Sequence, residues 1–334
     1  MAEDATAKRR RDRLRYGEVP PEADAPLAPF AGAEPPAPAW FKAALGQAPQ
    51  ETFVESLGTK IELLTWGDPG KPGLLLVHGN GSHAHWWAHI APLLADRYRV
   101  AAMSLAGAGA SDWRERYSSR DFAEDAEACA RAAGLYDGGR KPIYIGHSLG
   151  GAQVFCAAEA HPERMQAAVL IDSSFRGPST AAVEEMRTAR AAAPPRRVYE
   201  SETAALARFR LSPLQVVRAP YIADYIARKA LGRTPLPDGS GLGWAWRHDP
   251  AMWVKLERGH ERGPFPDGPI RVDVPLVHIV GDQSHVVRFR EPRGDPLTPD
   301  VPQFAIPDCG HHTMIDQPMA LVSALRALLA VWPG

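Results

Sequence analysis

Thiols, net charge and long apolar runs are all scarce in this chain, and each scarcity excludes something. Only three cysteines occur in 334 residues, Cys129, Cys156 and Cys309, odd in number and far apart. They define neither a disulfide framework nor a clustered thiolate zinc site, and a reducing, cytoplasmic setting is the expectation. Formal net charge is −1, so no global field draws the chain to nucleic acid or an anionic membrane surface. No apolar run approaches the length of a membrane span. The basic cluster near the start (Lys8, Arg9, Arg10, Arg11, Arg13, Arg15) is not followed by the apolar stretch of a secretory signal. No internal repeat is visible, so solenoids and propellers are set aside. The composition thus implies neither a nucleic-acid nor a membrane partner and says nothing about oligomeric state.

The 45% hydrophobic content is enough for a sizeable core. Residues 1–49 are charged, then rich in proline and alanine, and are expected to form a largely disordered arm, with a short amphipathic helix at Trp40–Leu45 able to dock on the body. From residue 50 strand and helix patterns alternate. Strands are expected at Thr52–Ser56, Lys60–Trp66, Gly73–Val77, Tyr98–Met103, Pro142–Ile145 and Ala167–Ile171, with helices at Trp86–Ala95, Phe122–Ala133 and Ala152–Ala160. That alternation predicts an α/β fold with a mostly parallel sheet and helices on both faces. It stops over residues 173–268, which turn helical and aromatic with little strand character. This stretch is expected to be a mainly helical cap inserted over the sheet rim. Sheet character returns at Pro275–Val280 and Pro302–Ile306, before a final helix at Met319–Val331. The core is therefore expected at 50–172 and 269–334.

The chemistry centres on Gly146-His147-Ser148-Leu149-Gly150, between a strand and a helix. A G-x-S-x-G run in that setting is a sharp turn that raises the serine hydroxyl above the C-terminal edge of a sheet, beside a helix N-terminus. Glycines on both sides allow the close approach of flanking backbone. His311, after a strand and Gly310, is the base, ahead of its neighbour His312. A serine followed by a histidine near the chain's end is the order found in hydrolases of this topology. The turn His78-Gly79-Asn80-Gly81 offers backbone amides, and Asn80 with Leu149 are the oxyanion donors.

Together, strand-His78-Gly79, Gly107-Ala-Gly-Ala-Ser111, the serine elbow and the late Gly310-His311 resemble the α/β-hydrolase superfamily, from about residue 50 to the C-terminus. The likeness is to its capped branch of esterases, lactonases, carbon–carbon bond hydrolases and haloalkane dehalogenases. Many members carry Gly-x-x-Asp after the penultimate strand, whereas this chain has Gly281-Asp282-Gln283-Ser284, with serine in the acid's place. Other members put the acid after the strand that follows the nucleophile, where Asp172 stands. The resemblance thus implies Asp172 as the triad acid, with Asp282 as the alternative, while Asp316 is expected to cap the last helix. Dehalogenase and epoxide-hydrolase chemistry in this branch uses an aspartate nucleophile, which Ser148 disfavours.

His83, His85 and His89 carry no neighbouring Asp, Glu or Cys between Gly79 and Pro92, so a metal site there is not expected. His147 is assigned no chemistry, and no cofactor is implied. The expected function is a serine hydrolase of a small carboxylic ester or related carbonyl substrate. Lactone or carbon–carbon bond hydrolysis by the same triad, and a non-catalytic ligand-binding protein on the same fold, are the alternatives. A neutral histidine base predicts that kcat/KM rises with pH around ~6.5.

Overall fold

A computed structural model describes residues 21–173, 196–256, 272–284 and 301–332. The basic cluster at 8–15 lies outside them.

The described chain enters through two short 3₁₀ turns and helix α1 (Ala39–Leu45). Strands β1 (Gln50–Ser56), β2 (Thr59–Trp66) and β3 (Gly73–Val77) follow, then two 3₁₀ turns at Ala84–Trp87 and Ala91–Leu93, and β4 (Arg99–Met103). Next come α2 (Ser119–Ala132), β5 (Ile143–His147), α3 (Leu149–Ala160) and β6 (Ala167–Ile171). The described part of the insertion holds α4 (Glu202–Leu206), α5 (Pro220–Lys229), a hairpin of β7 (Leu231–Pro235) and β8 (Leu242–Trp246), and α6 (Met252–Lys255). The sheet resumes with β9 (Leu276–Gly281) and β10 (Gln303–Ile306), and the chain closes on α7 (Thr313–Asp316) and α8 (Pro318–Val331).

Eight strands form one sheet in the order β1-β2-β4-β3-β5-β6-β9-β10. The β1–β2 and β2–β4 pairs are antiparallel and all others are parallel. Strands β3, β5 and β6 are buried along their whole length, which is why they read as continuous apolar runs rather than alternating ones. Alternate side chains feed two cores. Leu74, Leu76, Ile143, Ile145, Val169 and Ile171 face one side, and Leu75, Val77, Tyr144, Ala168 and Leu170 face the other. Helix α2 starts on Ser118, whose hydroxyl accepts the Asp121 N–H, a side-chain cap worth about 1 kcal/mol. Because β3, β5, β6 and β9 run parallel, their C-terminal ends share one rim, and the loops carrying candidate chemistry leave from it.

One expectation needs correcting, and two gain detail. The helix expected at Trp86–Ala95 is a pair of 3₁₀ turns, because Pro92 cannot supply the amide a continuing helix would need there. In the described part of the arm Ala23, Leu27, Phe41 and Ala44 are buried, so apolar anchors spaced among the prolines pack on the body. The insertion, expected to have little strand character, also holds one hairpin. Its β7–β8 strands pair Arg233 with Trp244 and Leu231 with Trp246, which puts these two tryptophans on a ribbon. Among the described residues, no helix is long and apolar enough to cross a membrane.

Candidate active site

Ser148 sits between β5 and α3 with φ 52° and ψ −117°. A positive φ is costly for a residue with a side chain, and the surroundings enforce it. The Ser148 N–H donates to Ile171 O at 3.0 Å, and Ser173 Oγ donates to Ser148 O at 2.7 Å. A Cβ on Gly150 would collide with the His78 and Val77 carbonyls, and one on Gly146 with Gly150 O. Those two glycines are what let the turn close against β3.

His311 comes from the loop after β10. Its Nε2 lies 3.0 Å from Ser148 Oγ, and its Nδ1 lies 2.8 Å from Asp172 Oδ1. A carboxylate only accepts, so the Nδ1 carries the hydrogen and Nε2 is left to accept from the serine hydroxyl. Asp172 stands at the end of β6, fully buried and also at positive φ, 42°. Its Oδ1 accepts from Ser284 Oγ at 2.6 Å and its Oδ2 from Gly281 N–H at 2.9 Å. Burial pushes its pKa up, yet His311, Ser284 and the Gly281 amide together hold it below the ordinary aspartate value. Asp282 is turned elsewhere: its Oδ1 accepts from Cys309 N–H at 3.0 Å.

The structure brings Asn80 to the same rim. Its Oδ1 accepts from Trp253 Nε1 of the insertion at 3.0 Å, which ties this turn to α6. The turn itself is set by His78. Leu105 N–H donates to His78 Nε2 at 2.9 Å, so Nδ1 carries the hydrogen and donates to Gly79 O at 2.7 Å. Burial drives the His78 pKa down to about 4, which keeps this tautomer neutral. Leu149 is the first residue of α3, a position whose amide has no partner within the helix.

Several residues that shape the site had no sequence signal. Ser284, noticed only as a missing acid, donates to the acid that stands elsewhere. His147 holds the base's backbone: its Nε2 lies 2.9 Å from His311 O, and burial with the adjacent His311 takes its pKa down to about 3. Asp316 does not cap α8, whose first turn follows Gln317 with no side-chain cap. It accepts instead from Gly310 N–H at 2.8 Å and from Gln215 Nε2 at 2.9 Å. Gln215 returns its Oε1 to His312 N–H at 3.2 Å, and Arg218 donates to Asp308 O at 2.9 Å. The insertion therefore grips the histidine loop. Of the metal-disfavoured histidines, His83 bonds Ile226 O at 3.0 Å, His85 lies 3.2 Å from Tyr225 OH, and His89 bonds Met314 O at 2.8 Å.

A hydroxyl on a strained strand-to-helix turn, an imidazole in contact with it, and a buried carboxylate behind the imidazole define a nucleophile–base–acid relay. On this sheet order, that is the constellation of an α/β hydrolase. The α/β-hydrolase fold family matches residues 72–318, and the chain belongs to it. Among curated relatives, epoxide hydrolase A of Mycobacterium tuberculosis is 32% identical over 123 residues, 36% of this chain and only 37% of that enzyme. The 2-hydroxy-6-oxo-6-(2'-aminophenyl)hexa-2,4-dienoic acid hydrolase of Metapseudomonas resinovorans is 27% identical over 303 residues, covering 84% of this chain and 91% of that one. Among solved structures, E-2-(acetamidomethylene)succinate hydrolase superposes with a TM-score of 0.65 at 21% identity, over 85% of this chain and 100% of the other.

Proposed function

We propose that the protein is a serine hydrolase of a small carboxylic ester or related carbonyl compound, with Ser148, His311 and Asp172 as its triad. The observation that carries this reading is the single imidazole of His311 touching both Ser148 Oγ and Asp172 Oδ1. His311 Nε2 takes the hydroxyl proton as Oγ bonds to the carbonyl carbon. Asp172 keeps the Nδ1–H tautomer and offsets the imidazolium charge. The Asn80 and Leu149 amides receive the tetrahedral oxyanion, and removing one such donor costs roughly 10²–10³ in turnover. The oxyanion collapses, expelling the alcohol, which takes the proton from His311. Water, deprotonated by the same imidazole, then attacks the acyl carbon, and Ser148 Oγ leaves with the proton from His311 as the acid is released. The described part of the insertion, residues 196–256, acts as the cap, with Trp253 on Asn80 and Gln215 on Asp316 holding it to the site.

Although a third of the chain resembles an epoxide hydrolase, the residue on the elbow here is a serine and not an aspartate. A second reading is hydrolysis of an oxo acid or lactone by the same triad. Its support is the near full-length similarity to a hydrolase whose name specifies a 6-oxo dienoic acid. A ketone has no heteroatom leaving group, so hydrolysis at its carbonyl would break a carbon–carbon bond. Turnover of short p-nitrophenyl esters, together with labelling by a fluorophosphonate probe, tests the first reading. Ser148→Ala is expected to abolish both. Labelling that persists in Ser148→Ala would place the nucleophile on another residue.

A further inference from the structure

Two buried imidazoles stand beside the proposed triad and take no part in its proton transfers. The ring centroids of His147 and His311 are 4.8 Å apart, those of His311 and His312 4.9 Å, and those of His147 and His312 5.7 Å. One nitrogen from each of the three rings lies within 4.8 Å of one from each of the others. His147 and His312 are almost wholly buried, at 1% and 3% exposed. His147 Nδ1 makes no hydrogen bond, and neither ring nitrogen of His312 makes one of ordinary geometry. Among the described residues the Pro213 backbone is the group that interacts with the His312 ring, and one carbonyl can serve one nitrogen of the two. Unpartnered polar atoms in a buried site are uncommon and costly, and here they gather at the one place where a third imidazole lone pair is directed at Ser148.

We propose that His147, His311 and His312 form an inhibitory site for a borderline divalent transition cation of the Zn²⁺ or Cu²⁺ class, which captures the lone pair that His311 otherwise offers to Ser148. Imidazole nitrogen is a preferred donor for these ions and a poor one for Mg²⁺ or Ca²⁺. Bonds of about 2.0–2.1 Å to a tetrahedral ion put its nitrogen ligands roughly 3.4 Å apart. The three rings therefore have to close by up to about 1.4 Å, a rotation within side-chain reach. His311 contributes Nε2 and keeps Nδ1–H on Asp172, a pairing that strengthens an imidazole as a ligand. Ser148 Oγ, 3.0 Å from that Nε2, is placed to complete the coordination. Ser148 and Leu149 are only half-buried, so the ion enters by the route a substrate takes. That binding inhibits rests on the proposed hydrolase function; binding itself does not.

The test is a ZnCl₂ titration of the full chain, reading p-nitrophenyl ester hydrolysis and fluorophosphonate labelling, with EDTA added afterwards. In parallel, Co²⁺ is titrated into the wild type and Ser148→Ala and followed by its visible absorption. The expected result is one-to-one inhibition of at least tenfold, reversed by EDTA, and a tetrahedral Co²⁺ band in both proteins. His312→Gln and His147→Gln should each weaken metal binding by tenfold or more, each measured against its own metal-free rate; if one fails to fold, the other carries the comparison. The competing surface site is His161, with Glu124 at 3.5 Å and Glu163 at 3.4 Å, and His161→Gln should leave the inhibition unchanged. The proposal is overturned if neither protein develops a Co²⁺ band, if both His312→Gln and His147→Gln titrate like wild type, or if His161→Gln removes the effect. Should no ester be turned over even without metal, the hydrolase reading is what fails, and the Co²⁺ titrations still decide the site.

Discussion

Ser284 shows how much one side chain can alter the meaning of its neighbours. At the position where the family resemblance implies an acid, its hydroxyl instead donates to Asp172. Ser284→Ala removes a hydrogen bond to a charged group, worth about 1.5–3 kcal/mol. The Asp172 carboxyl then loses one of the contacts that hold its pKa down, so the acid is less firmly ionised and less well aimed at His311. Ester turnover is expected to fall roughly 10- to 100-fold. Comparing Asp172→Asn with Asp282→Asn decides the acid. The first should cost on the order of 10⁴ in kcat by imposing the wrong tautomer. The second keeps an amide oxygen for Cys309 N–H and should cost less than about tenfold. Equal losses in the two variants would contradict the assignment of Asp172.

At the scale of elements, the decisive contact is between the strand-end loop after β9 and the histidine loop after β10. A Cβ on Gly281 would meet the backbone carbonyls of Gly310 and Cys309, so the two loops touch without a side chain between them. Gly281→Ala should push the histidine loop away and reduce kcat by about 10²-fold, the penalty of a roughly 1 Å misplacement, with KM changed far less. From the opposite side Gln215 and Asp316 hold the same loop. Asp316→Ala is expected to lower turnover about tenfold or more by freeing Gly310 N–H, while Asp316→Asn, which retains an acceptor, restores most of it. Wild-type rates in Asp316→Ala would rule out a positioning role. None of this was legible beforehand. Glycine at 281 and aspartate at 316 are common loop residues, and their significance is a distance between segments far apart in sequence.

Across the whole molecule, neutral buried histidines make acid sensitivity a property of the fold. Burial takes His78 and His89 down to about 4, and His83 and His147 down to about 3. In the unfolded chain each titrates near ~6.5. Below that pH the unfolded state binds more protons than the folded one, so stability falls as pH drops from about 6.5 toward the folded values. Glu62 adds a second loss at lower pH. Burial pushes its pKa up, but the nearby His85, Ser104 Oγ and the Ala110 amide bring it down to about 2, so its stabilisation is full above the ordinary glutamate range and is lost as pH falls from there toward about 2. The thermal midpoint followed by circular dichroism should therefore decline steadily from pH 7 to pH 5, before most carboxylates titrate. A flat midpoint over that range would mean these imidazoles are not held neutral.

The chain's local chemistry by itself determined the sheet strands, the serine elbow and the order of nucleophile and base, because each is written in a short run. Gly73–Val77 and Ala167–Ile171 are legible as strands from their short, continuous apolar runs, and Gly146–Gly150 bends sharply because only glycine tolerates the backbone contacts around it. Tertiary structure decided what depends on approach between distant segments. Asp172 and Asp282 stand at neighbouring strand ends and carry the same side chain, and only the path of the histidine loop gives His311 to one and Cys309 N–H to the other. The β7–β8 hairpin, the grip of Gln215 on Asp316 and the clustering of three imidazoles are likewise set by packing. A short run specifies its own backbone, whereas which side chains meet is settled by the summed packing of the whole chain.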